Sequence, residues 1–386
     1  MARLFHVARR EVRRLASQPI YWFCMLAAPV LCLVFFLTLM GSGLPTNLPL
    51  GLVDDDGSAT SRQLARNLDA FQQSDIVARF PTVSEARKAM QRGEIYGFYY
   101  IPEGTSRKAL RQEQATVSFY MNYSYLIAGS LVFRDMKTMS ELASGAAVQQ
   151  VMLARGATEA QAMALLQPIV VDTHPISNPW LNYSVYLSNT LLPGVLMLFI
   201  TMVTVYSIGI EVKDGTAREW LAEGGFSLTQ SLAGKLLPQT VAFVLLWGLV
   251  DVVLYAWLRF PCLCGLPVML GVSALGVVAA QGLGVFMFAA LPTLRLGLSF
   301  ASLWGVISFS ISGMSFPVMA MHPVLQGLCN LFPLRHYFLL YVNFALNGYD
   351  AADIWPNLVG LAAFALLPLV VGWHLKRTLL TVKYIP

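Results

Sequence analysis

The sequence predicts an α-helical polytopic membrane protein with six transmembrane helices and an inserted extracytoplasmic mixed α/β domain. Three observations carry this. The 386 residues are 56% hydrophobic and only 12% charged, against roughly 25% charged in soluble domains, so one soluble core cannot hide the apolar surface. Apolar stretches recur near residues 20–41, 186–210, 236–258, 266–290, 296–316 and 357–375, and about 20 apolar residues cross ~30 Å of hydrocarbon. Residues 41–185, between the first two, hold 25 of the 47 formal charges, 12 basic and 13 acidic.

Charge placement sets the orientation. Residues 1–18 carry Arg3, Arg9, Arg10, Arg13 and Arg14 against Glu11 alone, and the last eleven residues carry Lys376, Arg377 and Lys383 without an acid. The positive-inside rule puts both termini in the cytoplasm, which requires an even number of spans. The net charge of +5 is no nucleic-acid signature. The first apolar run lacks a convincing cleavage site and reads as a retained span.

Along the chain, residues 1–18 form a cytoplasmic amphipathic helix, with Leu4, Val7, Val12 and Leu15 opposing the arginines, lying in the inner interface before Pro19. Residues 19–41 are the first span, kinked at Pro29. Residues 42–185 read as a periplasmic α/β domain on a helical stalk. Its strands fall at 50–53, 76–80, 96–101 and 115–121, with a last one at 169–172. Its helices cover 61–71 and 85–92, the latter capped by Ser84, and a long stretch from 124 to 166 is interrupted near Gly156. Residues 186–378 hold five spans, with a charged segment at 211–235 and Pro-started outer re-entrant helices at 317–345; residues 379–386 are a cytoplasmic tail. Re-entrant backbone needs shelter from lipid by protein or a water-filled cavity.

The most informative stretch is Tyr206–Leu221, where a long apolar run ends and both charge signs follow at once. Asp214-Gly215 is turn chemistry, and Thr216 is placed to cap a short helix carrying Arg218, Glu219 and Trp220. A short amphipathic helix pinned beneath a membrane suits a part that receives force from a soluble partner. The bland alternative is a solvated, charge-balanced loop, since exposed pairs contribute ~0–1 kcal/mol.

Four places resemble one family, the ABC-2 type exporter permeases with a large periplasmic loop between spans one and two. Leu52-Val53-Asp54-Asp55-Asp56 with Ser58 and Ser61 resembles the opening of that family's outer domain. Gly93 with Tyr99-Tyr100-Ile101-Pro102 resembles its strand before a short helix. Glu211, Gly215-Thr216 and Leu221 resemble its coupling segment, and Gly313, Phe316-Pro317, Pro323 and Pro333 its proline-rich outer helices. Trp220 and Gly224-Gly225 depart from the Leu and Pro that relatives more often carry.

The resemblance implies a permease in the bacterial inner membrane that exports an amphipathic or hydrophobic substrate. It implies a dimer, with itself or a second permease, driven by separate cytoplasmic ABC ATPase subunits that hold ATP and Mg²⁺. It also implies an outer domain that lids the pathway or docks a periplasmic adaptor leading to an outer-membrane channel. Glu211, Lys213, Asp214, Gly215, Thr216, Arg218, Glu219 and Trp220 would then couple to the ATPase.

Asp251, inside the third span, is either functional, as intramembrane carboxylates are by default, or structural through Tyr255 and Arg259. With Met314, Phe316, Pro317 and Met319 it is the candidate lining of a pathway; ordinary packing is the bland reading of the Met314, Met319 and Met321 patch. His174, His322 and His336 lack ligand spacing, so no metal site is expected. Cys262 or Cys264 can reach Cys329 on the outer side, a bridge that sequence leaves open. The sequons at Asn122 and Asn182 read as structural. No G-x-x-x-x-G-K-[ST], H-E-x-x-H or G-x-S-x-G occurs, so the chain carries no nucleotide site, catalytic set or cofactor of its own. The rival readings are a non-transporting receptor or scaffold whose outer domain binds an envelope ligand, and a lipid-acting membrane enzyme.

Overall fold

The computed structural model describes residues 2–111, 113–166, 174, 176–179 and 181–382. They fall into two compact units, one of Met1–Gly43 with Pro175–Pro386 and one of Leu44–His174.

Helix α1 (Ala2–Ser17) is amphipathic but splits its expected apolar face: Val7 is buried and Val12 exposed. It packs along the third span. Helix α2 (Pro19–Leu39) is the first span. Its distortion precedes Pro29: residues Phe23–Ala27 are wound as a π-helix, and the Ala28 N–H donates to the Phe23 carbonyl. A wider turn ahead of a ring that brings no N–H relieves the clash proline makes with the preceding turn.

The second unit is a four-stranded sheet with helices. In chain order it runs β1 (Leu48–Asp54), α3 (Ala59–Asp69), β2 (Ser74–Arg79), α4 (Val83–Gln91), β3 (Gly97–Ile101), α5 (Thr105–Leu110), β4 (Ser118–Met121), α6 (Leu126–Ala154) and α7 (Glu159–Leu166). The strand order is β2-β1-β3-β4, with β1 parallel to both neighbours and β4 antiparallel to β3. Strand β1 is near-continuously apolar because both faces are covered. Leu50 and Leu52 pack with Leu68, Tyr99 and Val132 on one side; Val53 packs with Ala86, Ala89 and Phe98 on the other. Gly97 admits β4 closely, since a Cβ there would lie 2.7 Å from the Tyr120 carbonyl. Thr82, not Ser84, caps α4: its hydroxyl accepts the Glu85 N–H at 3.3 Å. The break between α6 and α7 falls at Gly156, whose φ of 89° suits a residue without Cβ. The strand expected at 169–172 lies outside the described residues.

The first unit continues with α8 (Tyr183–Lys213), α9 (Ala217–Glu223), α10 (Leu228–Trp257), α11 (Leu266–Ala290), α12 (Leu294–Ile311), α13 (Pro323–Leu328), α14 (Pro333–Leu340) and α15 (Ala351–Thr381). Helices α2, α8, α10, α11, α12 and α15 are long and apolar enough to cross a membrane. Helix α8 runs further than hydropathy suggests and carries Glu211 and Lys213 on its last turn. Helices α8 and α11 are the most buried, while α2, α12 and α15 bury few of their residues. Small residues allow this packing, as expected where lipid gives helices no hydrophobic drive to associate. A Cβ at Gly284 would stand 2.9 Å from the Thr201 carbonyl of α8. The same approach lets the Thr201 hydroxyl donate to the Ala280 carbonyl at 3.2 Å. Both sequon asparagines are local caps: Asn122 Oδ1 accepts the Ser124 N–H at 3.0 Å, and Asn182 Oδ1 the Ser184 N–H at 2.9 Å.

In the sheet unit, hydrogen bonds from Ser106 and Ser58 hold the Asp56 carboxyl below its ordinary range. An ionised Asp56 therefore favours the fold above the ordinary carboxylate range, near pH ~4, and that contribution is lost as pH falls through the lower folded value. Pepsin cleavage of the sheet unit should rise across this window, and Asp56→Asn should make it less pH-dependent.

Candidate coupling site

Glu211 is a carboxylate at the end of an apolar helix, and it is wholly buried, so it must find donors. Four arrive from three other elements. From α1, Arg10 Nη2 donates at 3.0 Å and Arg14 Nη1 at 2.5 Å; these two residues, four apart, share one helix face. From α10, Lys235 Nζ donates at 2.8 Å. The fourth is the Thr216 hydroxyl, in the turn before α9.

Lys235 is itself wholly buried and also bonds Glu11 Oε2 at 2.8 Å. Gln239, one turn further along α10, donates to Glu11 Oε1 at 3.0 Å. Trp220 of α9 is buried beneath this cluster: its indole N–H donates to the Ser231 carbonyl at 3.2 Å, and Lys235 Nζ stands 5.1 Å from the ring centre. At the rim, Arg14 reaches Asp214 at 3.2 Å and Arg10 reaches Glu223 at 3.8 Å. Two wholly buried acids thus face one buried ammonium, and two half-buried guanidiniums offset the remaining negative charge. Such a cluster has each charge countered, and removing one member leaves others buried without compensation.

The predicted residues divide accordingly. Lys213, Asp214, Arg218 and Glu219 are exposed, and Gly215 supplies the turn with φ of 73°. Thr216 does not cap α9 through its side chain; its hydroxyl serves Glu211, because a charged acceptor makes the stronger hydrogen bond. Glu211 and Trp220 are interior residues that fix α9, and the exposed face is left to Arg218 and Glu219. Glu11, Arg10, Arg14, Lys235 and Gln239 were not anticipated at this site. The available signal was a lone acid among the arginines of α1 and a lone lysine opening an apolar helix.

The other candidates do not assemble. Asp251 is buried, but Tyr255 donates instead to Asn189 Oδ1 at 2.8 Å, and no ion pair joins Asp251 to Arg259 among the described residues. The Asp251 Oδ2 atom has no hydrogen-bond partner. The Arg259 backbone turns at φ of 54° and its side chain is exposed, so the expected pairing fails for want of a continuing helix. Met314 is buried while Phe316 and Pro317 are exposed and Met319 is 94% exposed. His322 Nδ1 accepts the Val324 N–H at 3.4 Å, and His336 Nε2 bonds the Asn330 carbonyl at 2.9 Å. No group of three metal-ligating side chains occurs among the described residues. All five cysteines are free. Cys329 is buried with its thiol donating to the Gln326 carbonyl at 3.0 Å, whereas Cys262 and Cys264 pack into a different cluster.

Six apolar helices with a buried ion cluster at one end of their bundle define a multi-pass membrane protein. The profile of the ABC-2 family transporter proteins matches residues 19–374, and the chain belongs to that family. Membership makes it the transmembrane component of an ABC transporter, with ATP hydrolysis assigned to an associated ATPase. No individual curated protein matches the chain.

Lys235→Met should destabilise the membrane unit by about 3–5 kcal/mol, since it leaves Glu11 and Glu211 buried without their shared cation. Adding Glu11→Gln should recover part of the loss. Arg218→Ala, on the exposed face, should cost less than about 1 kcal/mol. Thermal unfolding in mild detergent reads all three.

Proposed function

We propose that the chain is the permease half of an ATP-driven exporter that moves an amphipathic or hydrophobic compound (a drug, lipid or lipid-linked product) out across the bacterial inner membrane. The observation that carries this is the clamp around Glu211, which joins α8 to α1 and α10 and holds α9 against them through Thr216 at its start and the Trp220 indole within it. A short helix so fixed cannot tilt alone. Force applied at Arg218 and Glu219 passes into the spans as movement of a single body.

Two permease halves, alike or different, would each rest on a cytoplasmic ATPase that holds ATP and Mg²⁺. Closure of the ATPases pushes on α9, and the ion cluster carries that push to α8 and α10. Both termini lie in the cytoplasm, and residues 42–185 form a periplasmic domain that lids the pathway or docks an adaptor and outer-membrane channel. The apolar spans, with Asp251 as their one deeply buried carboxylate away from the ion cluster, favour an amphiphile over a small ion.

Exchanging the exposed charges (Arg218→Glu with Glu219→Arg) should abolish ATP-driven transport while leaving the melting temperature of the chain within a few degrees. Transport at the parental rate in that variant would defeat the assignment of α9 to the ATPase contact. A chain that merely anchors an external receptor domain would be indifferent to the exchange.

A further inference from the structure

An apolar groove of about 510 Å³ lies where α1 and the start of α2 meet α10, within the ~300–1,000 Å³ range of small-molecule sites. It begins beside Val12 and Ala16 and follows α10 from Pro238 to Leu249. The eleven steps between them rise about 16 Å, close to one leaflet of a hydrocarbon core ~30 Å thick. Trp22 marks the interface end: its ring lines the groove, and its N–H donates to the Ala16 carbonyl at 3.1 Å.

The mouth is cationic. Arg9 and Arg13 lie on the same helical face as Val12 and Ala16. Both are exposed, and among the described residues neither has an acid within ion-pair distance. Their neighbours Arg10 and Arg14 are committed to Glu211. The helix thus turns two arginines inward to the protein cluster and leaves two exposed beside the residues where the groove begins.

We infer that this groove is a binding site for an anionic phospholipid of the leaflet against which α1 lies, with an acyl chain along α10 and the phosphate on Arg9 and Arg13. Phosphate is the acceptor these guanidiniums fit, and a basic amphipathic helix in the interface attracts anionic lipid. The site also bears on the ion cluster. Val12, Leu15 and Ala16, which line the groove, alternate along α1 with Glu11 and Arg14, which enter the cluster. A bound lipid therefore holds α1 against α10 in the position the Glu211 clamp requires.

Native mass spectrometry of the full chain, equilibrated in mild detergent with phosphatidylglycerol or phosphatidylcholine of matched acyl chains, tests this. The parent should retain phosphatidylglycerol with a preference of about tenfold or more. Arg9→Gln with Arg13→Gln should remove the preference but not lipid retention, and Ala242→Phe, which fills the groove, should lower retention of both lipids. Equal retention of the two lipids by the parent, or an undiminished preference in the double arginine variant, overturns the site. So does a disulfide between two copies of a Leu245→Cys chain in vesicles that excludes lipid, because the groove is then an interface. The exposed arginine pair decides the question even if Ala242→Phe does not fold. The readout needs neither ATP nor a transported compound, so its failure leaves the exporter reading standing.

Discussion

Glu211 is the constraint on which one end of the membrane unit depends. A carboxylate with no solvent contact, at the end of a 31-residue helix whose other charged residue is Lys213, is tolerated only with charge and hydrogen-bond partners on every side. Those partners come from α1, from the turn at Thr216 and from α10, segments up to about two hundred residues apart in the chain. Meeting the needs of one side chain thereby fixes three elements. Lys235 extends the arrangement by serving Glu11 as well, so α1 is held by ion pairs in both directions, giving cations to Glu211 and taking one from α10.

The rest of the bundle is held differently. Helices α8 and α11 meet through glycine and threonine, where backbones approach closely and a hydroxyl reaches across. Deeper in the spans Tyr255 pairs with Asn189. Directional, charged contacts at one end and close, mostly uncharged contacts along the spans suit a machine that receives force at one place.

What the sequence revealed follows from the range of the physics involved. The spans were legible because about 20 consecutive apolar residues have few other uses. The sheet unit was legible because its strands alternate with capped helices and turn residues, although the cap of α4 is Thr82 and not the expected Ser84, since both residue types cap well and Thr82 is the one three residues before Glu85. The segment around Gly215 and Thr216 was found through its local turn chemistry. Its interior was not, because the partners of Glu211 lie far along the chain and nothing local marks Lys235 or Glu11 as buried. The pairing assigned to Asp251 failed for a related reason. Helical spacing placed Arg259 two turns away, but α10 ends before Arg259, which takes a left-handed backbone conformation and points outward. The methionines near Pro317 gave a compositional hint, and they differ in exposure, Met314 being buried and Met319 exposed.

The central claim is that α9, fixed by the cluster around Glu211, is where an ATPase subunit bears on this chain. The most direct measurement is site-specific photo-cross-linking from position 219 in intact cells, with a matched probe at exposed position 245 on α10, followed by mass spectrometry of the adducts. The account predicts that an ABC ATPase is captured from 219 and not from 245. Absence of any ATPase adduct from 219, in cells where the transporter is active, would contradict it.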